Sequence, residues 1–363
     1  MRRRQGKVNR WVLTSLMAIA ILLFFIVSRS VHTIKSRLYE TKVQAAQLSA
    51  RAFAIVKDYR LSILDFPIDS VNDPNGTGLI GLQFSPLTYG RSDLSDALTT
   101  TNPNFSAALV EMLYRLGVRA GDTIGINWDG TFPGLNIQIF AVCKTLGLVP
   151  VIVTAQSAGM WGANYPGFTW LELEQCLFNS RLWDFRSQFV TLGGEDDNGR
   201  GLPPEARDVL SQIADSFGVR LFTSESIAQA VSKRVEAFAG CRVLITVGLP
   251  VTNSGDPLVR LQSKIYLDRH AKAGNALVAR FIATGRPAVN IAKPSRIALD
   301  YRLPVAPVPQ PEIGKGRLFY ERRYSVPLAL VSAFIIIILL VLVVRYDVEY
   351  YFGVRTEDEK AAV

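Results

Sequence analysis

Cysteine and histidine are both scarce in this chain of 363 residues, with three of the first and two of the second. Three cysteines exclude a disulfide framework and a four-cysteine zinc site, and two histidines leave no His-rich metal cluster. No metal site is assigned, and no cofactor can be named. The phosphate-cradling GxxxxGK[ST] loop is missing, as are GxSxG and HExxH. His32 lies beside an apolar run, which leaves His270, in KIYLDRHAKAG on an expected surface helix, for any Ser/His/acid triad. Glu172 and Glu174 are two apart in TWLELEQC, so on a helix they face different directions and make a poor acid/base pair. No motif compels an enzyme, and no catalytic residue is assigned.

Charge is also sparse: 20% of residues are charged against 49% apolar, which excludes a disordered chain or an array of charged helices. The net charge of +9 is uneven, because Arg2, Arg3, Arg4, Lys7 and Arg10 all fall in the first ten residues. Without them the basic and acidic residues stand at 35 and 31. A nucleic-acid binder would crowd its basic residues on one folded face, so no nucleic-acid partner is expected.

Two uncharged runs are long enough for a bilayer. Trp11 to Ser28 covers eighteen residues and Val326 to Val344 nineteen. No small-residue cleavage site follows the first, where Arg29, Ser30, Val31 and His32 come next, so an uncleaved anchor is expected rather than a signal peptide. Tyr346, Tyr350, Tyr351 and Phe352 follow the second run and suit an interfacial aromatic belt. The basic N-terminus favours both ends in the cytoplasm and the intervening domain outside the cell membrane, although Arg29, Lys35, Arg37 and Lys42 weaken the bias. Cys143, Cys176 and Cys241 lie in apolar contexts and do not decide the side.

Between the anchors the organisation expected is a stalk helix over 29–66, a domain over 67–302 and a Pro-rich spacer over 303–325 holding Pro304, Pro307, Pro309 and Pro311; a tail over 345–363 follows the second anchor. In the domain, helices alternate with short apolar strands: helix 105–117, strand 123–128, helix 135–146, strand 149–155, then FVTLGG, PPEARDVLSQIADSFG, CRVLITVG, a helix from about Pro257, and PAVNI. That alternation predicts an α/β fold, a parallel sheet with helices on both faces, flanked by one N-terminal and one C-terminal transmembrane helix.

Ligands of such folds collect beyond the carboxyl ends of the strands, which selects four loops. In 127–134, Asn127, Asp129 and Thr131 precede a helix whose free N–H groups would hold a carboxylate or phosphate; alternatively Asp129 or Thr131 caps that helix. In 156–164, Ser157 and Asn164 lie in a loop of small residues and aromatics that either wraps a ligand or lets Trp161 plug the surface. In 193–201, Glu195, Asp196 and Asp197 offer oxygen ligands to a divalent cation or form a solvated turn. In 248–255, Asn253 is the polar candidate. As an enzyme, the chain would use Thr131 or Ser157 as nucleophile with Asp129, Asp196 or Asp197 as acid or base.

GLIG (78–81), SPLT (85–88), TNPNF (101–105), DGTFPGLN (129–136), SAGMWGANYPGFTWLELE (157–174) and TLGGEDDNGRGLPPEAR (191–207) together resemble the poly-γ-glutamate system protein family. The segment at Leu249 and Pro250 departs from the flexible glycine-rich loop expected of that family at this position. The resemblance implies a membrane-anchored accessory in synthesis, export or retention of an anionic polymer, with poly-γ-glutamate, the membrane components of its synthase and the membrane itself as partners. It carries over no catalytic residue. Two other readings stay open: a hydrolase or transferase acting on the polymer, and a cytoplasmic-facing regulator that binds a small anionic metabolite.

Overall fold

The computed structural model describes residues 10–64, 66–259, 261–267 and 274–346. His270, the basic tail before Arg10, and Tyr350, Tyr351 and Phe352 lie outside the described residues. The chain divides into two units, one formed by its two ends up to Lys35 and from Tyr320, the other by Ser36–Phe319.

In the terminal unit the apolar runs are helices, Arg10–Arg29 and Val326–Arg345, each long and apolar enough to cross a membrane. Leu22, Phe24, Phe334 and Ile337 are all exposed, a surface suited to hydrocarbon and costly in water. Pro327 sits in the first turn of the second helix, where its missing N–H costs little. Beyond the helices, His32–Lys35 and Tyr320–Arg323 pair as an antiparallel ribbon, with His32 opposite Arg323. The helix expected to run unbroken over 29–66 is therefore interrupted. The chain turns at Leu38, with φ 62°, and a separate helix, α1 (Tyr39–Ser62), follows.

Helix α1 is a core element of the domain, not a stalk. Lys42, Ala45, Ala46, Ser49, Ala52, Phe53, Val56 and Arg60 recur at three- and four-residue spacing and are all buried. The alanines admit close neighbours, and the two cations find partners inside. Lys42 Nζ donates to the Leu318 carbonyl at 3.0 Å and pairs with Glu111 at 3.0 Å. Arg60 donates to the carbonyls of Phe66, Pro67, Gly78 and Ile80, and its guanidinium lies 4.2 Å from the centre of the Phe66 ring. Burial pulls its pKa below the ordinary arginine value. One side chain thus holds the segment 66–80, which has no helix or strand of its own. Arg60→Met leaves four carbonyls without their donor. Amides in 66–80 should then exchange roughly a hundredfold faster in hydrogen–deuterium exchange, while those of the central strands keep their protection.

The sheet has six strands: β1 (Thr123–Asp129), β2 (Val149–Ala155), β3 (Phe189–Thr191), β4 (Val243–Val247), β5 (Lys264–Tyr266) and β6 (Ala288–Ile291). Their spatial order is β3-β2-β1-β4-β6-β5, parallel except for β5 at the edge. The remaining helices are α2 (Leu94–Thr100), α3 (Phe105–Arg115), α4 (Pro133–Leu146), α5 (Trp170–Asn179), α6 (Pro204–Ser216), α7 (Ile227–Ala237), α8 (Leu277–Ile282) and α9 (Pro294–Asp300), with a single helical turn at Val251–Ser254. Ile124, Ile126 and Trp128 of β1 join one core with residues of α1, α3, α4 and α5. On the other face Val153 and Leu244 pack with Val231 of α7 and Leu277 and Phe281 of α8. Both faces are covered, which is why the strands read as continuous apolar runs. Gly125 makes room for Phe238, whose ring would lie 2.8 Å from any Cβ there.

Two expectations fail. A helix does not begin at Pro257; the short turn at Val251–Ser254 comes first, then β5 runs antiparallel, then α8. The Pro-rich stretch is no free spacer either. Asn75 Nδ2 donates to Pro307 O at 2.7 Å, Gln310 Nε2 to Thr101 Oγ1 at 2.8 Å, and Gly314 N to Asn104 Oδ1 at 3.1 Å. Proline composition makes the segment extended, and its neighbours give it a berth that composition does not reveal.

Strands β1, β2 and β3 step to one side of the sheet, then the chain returns to place β4 and β6 on the other. The order reverses between β1 and β4. In open α/β sheets the crevice outside the carboxyl ends at such a reversal is where ligands bind.

Candidate functional site

The odd-numbered residues of β1 point away from the main core, and the last two, Asn127 and Asp129, stand at the reversal. Both are buried. Asn127 meets Arg234, which α7 brings in from the opposite face at 0% exposure. Arg234 Nε donates to Asn127 Oδ1 at 2.7 Å. The rest of the guanidinium grips Asp197 with two bonds, at 2.6 and 3.1 Å, and reaches Thr191 Oγ1 at 3.1 Å. Asp197 holds its place with φ 67° in the loop after β3. Arginine can only donate. Asn127 must therefore present its oxygen to Arg234 and its NH2 group outward, where it donates to Asn253 Oδ1 at 2.7 Å and Thr252 Oγ1 at 3.3 Å. Asn253 in turn is left with its own NH2 group, whose nitrogen is buried and has no hydrogen-bond partner among the described residues.

Asp129 caps the backbone around the same crevice. Its oxygens accept the Thr131 N–H at 2.9 Å and the Leu249 N–H at 2.8 Å, so one carboxyl ties the loop after β1 to the loop after β4. Burial pushes its pKa up to about 6, against the opposing pull of the hydrogen bonds from Thr131 and Leu249. Gly248, at φ 78°, is required here: an added Cβ would come within 2.0 Å of Asp129 Oδ1. Thr131 Oγ1 accepts the Gly159 N–H at 2.9 Å, which draws the 156–164 loop over the top of β1.

No family model, curated protein or solved structure matches this chain.

Of the candidate residues, the structure brings Asn127, Asp197 and Asn253 into one hydrogen-bonded chain, with Asp129 and Thr131 beside it. Arg234, the centre of that chain, was missed by the strand-end rule because it lies on a helix. Its signal in the sequence is an arginine at the fourth position of the stripe Ile227, Ala230, Val231, Arg234, where an apolar side chain would be expected. The remaining candidates act as struts. Ser157 Oγ accepts the Gly194 N–H at 3.2 Å. Asn164 accepts the Leu82 N–H and donates to Leu82 O and Thr88 Oγ1, while the Ser85 hydroxyl donates to its carbonyl. The three consecutive acids diverge rather than converge on a cation. Glu195 pairs with Arg200 at 3.2 Å on the surface, Asp196 caps the N–H groups of Asn198 and Arg200, and Asp197 turns inward. Among the described residues no cluster of three His, Cys, Asp or Glu side chains is placed to hold a metal.

Asn253 also lines a cleft of about 60 Å³, together with Tyr89, Leu249, Asp256, Val259 and Leu261 among others. Gly248 and Ala292, which follow β4 and β6 directly, are in its lining, with Asn290 of β6. That volume takes one small group and is well below the ordinary size of a ligand pocket.

Proposed function

We propose that this chain is a membrane-anchored accessory of a poly-γ-glutamate synthesis or export system, whose domain binds the polymer or the membrane components of the synthase. In the proposed arrangement two spans lie in the cell membrane, both ends are cytoplasmic and the domain is outside. The motifs from GLIG at 78–81 to TLGGEDDNGRGLPPEAR at 191–207 support the polymer, and the two apolar helices support the anchoring. The observation that carries a binding role is the cleft at the reversal of strand order, where Asn253 is one of the lining residues.

A specific observation favours a second role, as a hydrolase or transferase on the same polymer. The Asp129 carboxyl, pushed up to about 6 beside the Thr131 hydroxyl, has the proton affinity of a general acid or base near neutral pH. Both candidate nucleophiles are buried and already engaged, Thr131 Oγ1 by the Gly159 N–H and Ser157 Oγ by the Gly194 N–H, so either would have to give up that bond to react. Full-length protein in detergent micelles, mixed with poly-γ-glutamate and followed by size exclusion with light scattering, separates the two. The expected result is polymer of unchanged length carrying the protein with it. Shortened polymer would assign the enzyme. Separate, unchanged peaks would leave the synthase components as the partner, to be sought by co-purification. A reporter fused after residue 29 that signals from the cytoplasm would overturn the proposed orientation and favour the metabolite-binding regulator.

A further inference from the structure

The two apolar helices are joined to one antiparallel ribbon with almost no slack. The first helix closes at Arg29 and its strand begins at His32; the partner strand ends at Arg323 and the second helix begins at Val326. The Ser325 N–H donates to Ser30 Oγ at 3.3 Å, which ties one joint to the other. With both helices in the bilayer, as proposed above, the ribbon starts at the headgroups, a layer about 5–8 Å deep on each side of the hydrocarbon. Its four-residue strands reach roughly 13 Å at most, and arginine stems can fold back to leave their charge at the interface. Tyr324, 57% exposed at the foot of the second helix, is the kind of aromatic found at that depth.

The ribbon and its joints carry Arg29, Lys35, Arg322 and Arg323 against a single acid, Glu321. Residues directly opposite in an antiparallel pair share a face. His32 stands opposite Arg323 and Ile34 opposite Glu321, so one face holds both members of the Arg323–Glu321 ion pair, at 2.9 Å. Thr33 opposite Arg322 and Lys35 opposite Tyr320 make up the other face, where the ribbon has cations and no acid. Arg29 and Arg322 are exposed, and the acid of the ribbon is already taken by Arg323. A guanidinium pairs with a phosphate through two parallel N–H bonds. Lipid phosphates stand at this depth at the density of the leaflet, whereas a soluble polyanion has to reach it from water.

We infer that the ribbon is a binding surface for anionic phospholipid headgroups, with Arg29 and Arg322 as the side chains that hold the phosphates. This rests on the anchoring part of the proposal above and is independent of the polymer. It holds for either orientation, because both strands lie on the side of the spans that leads to residues 36–319.

The experiment takes the full chain in two steps. Membranes containing it are first washed with sodium carbonate, which strips proteins that do not span. The retained chain is then purified in neutral detergent micelles and titrated with phosphatidylglycerol or phosphatidylcholine of the same acyl chains, with bound lipid counted by native mass spectrometry. Phosphatidylglycerol should bind about tenfold more tightly than phosphatidylcholine. Arg29→Gln with Arg322→Gln should bring the two lipids to within about twofold of each other. Both side chains are exposed, so the fold does not depend on them. Arg29→Lys with Arg322→Lys keeps the charge and should keep the preference. Arg51→Gln with Arg119→Gln removes the same charge from exposed positions of the domain and should leave the preference intact.

A carbonate wash that releases the chain would end the anchoring reading and this inference with it. A retained chain that binds both lipids equally overturns the inference alone. A preference that survives Arg29→Gln with Arg322→Gln overturns the assignment to the ribbon, and an equal loss in the Arg51 and Arg119 variant shows net charge acting without a site. If penta-γ-glutamate displaces phosphatidylglycerol at lower concentration than the lipid itself requires, and the same two arginines are needed, the surface belongs to the polymer and the lipid assignment falls.

Discussion

Arg234→Met should destabilise the domain by about 3–5 kcal/mol, the usual consequence of removing one partner of a fully buried ion pair. Methionine approximates the length of the arginine stem, so the loss is chiefly electrostatic. Asp197, at 0% exposure, would keep the Thr191 hydroxyl as a donor and lose the two charge-assisted bonds at 2.6 and 3.1 Å. Asn127 Oδ1 would lose its only described donor at the same time. Urea denaturation of the full chain in micelles, followed by the fluorescence of the buried Trp128 and Trp170, measures the effect. Arg234→Met combined with Asp197→Asn should recover about 1–3 kcal/mol of the loss, because no charge is then left unpaired in the interior. A single variant within 1 kcal/mol of the wild type would show that the pair adds little.

The sheet was legible because its strands are buried on both faces and therefore read as apolar runs between helical segments. The candidate loops were legible for the same reason, since each follows a strand. Chemistry that arrives from elsewhere in the chain was not. Arg234 sits on a helix more than a hundred residues from Asn127, and only packing places the two side chains together. The segment over helix α1 continues the helical periodicity of the first anchor without Gly or Pro, which suggested a stalk, and Lys42 and Arg60 on its stripe give no sign of burial. The partners that make burial tolerable, Glu111, Leu318 and the carbonyls between residues 66 and 80, are not local. The Pro-rich segment misled in a related way, because prolines report stiffness and say nothing about the Thr101 and Asn104 groups that receive it. Glu195, Asp196 and Asp197 show the limit most sharply. Three adjacent acids look alike in sequence, yet one is on the surface, one caps a turn, and one is buried against an arginine.

Glu174→Gln should stabilise the protein by up to about 3 kcal/mol at pH 8 and by less than about 1 kcal/mol at pH 5. Glu174 lies at the end of a buried chain whose direction is fixed by another obligate donor. Trp128 Nε1 donates to Thr154 Oγ1 at 2.7 Å, Thr154 and Ser187 share a bond at 2.8 Å, and Ser187 donates to Glu174 Oε2 at 2.9 Å. The Ser187 N–H adds a further bond at 2.8 Å. These donors favour the carboxylate, but loss of water outweighs them and pushes its pKa from 4.5 up to about 7. In the unfolded chain the group ionises near 4.5. Below that pH both states hold the proton and the residue contributes nothing to pH dependence. Between 4.5 and 7 the folded state keeps the proton while the unfolded state has released it, so stability falls as pH rises and levels off above 7. Glutamine mimics the protonated acid at every pH, which removes this part of the decline. Asp129, raised to about 6 by burial, has the same sign and keeps a smaller slope in the variant. Urea midpoints at pH 5 and pH 8 decide the matter: a gap between variant and wild type that opens with pH confirms a protonated Glu174 in the folded core, and parallel curves would place its ionisation near the unfolded value.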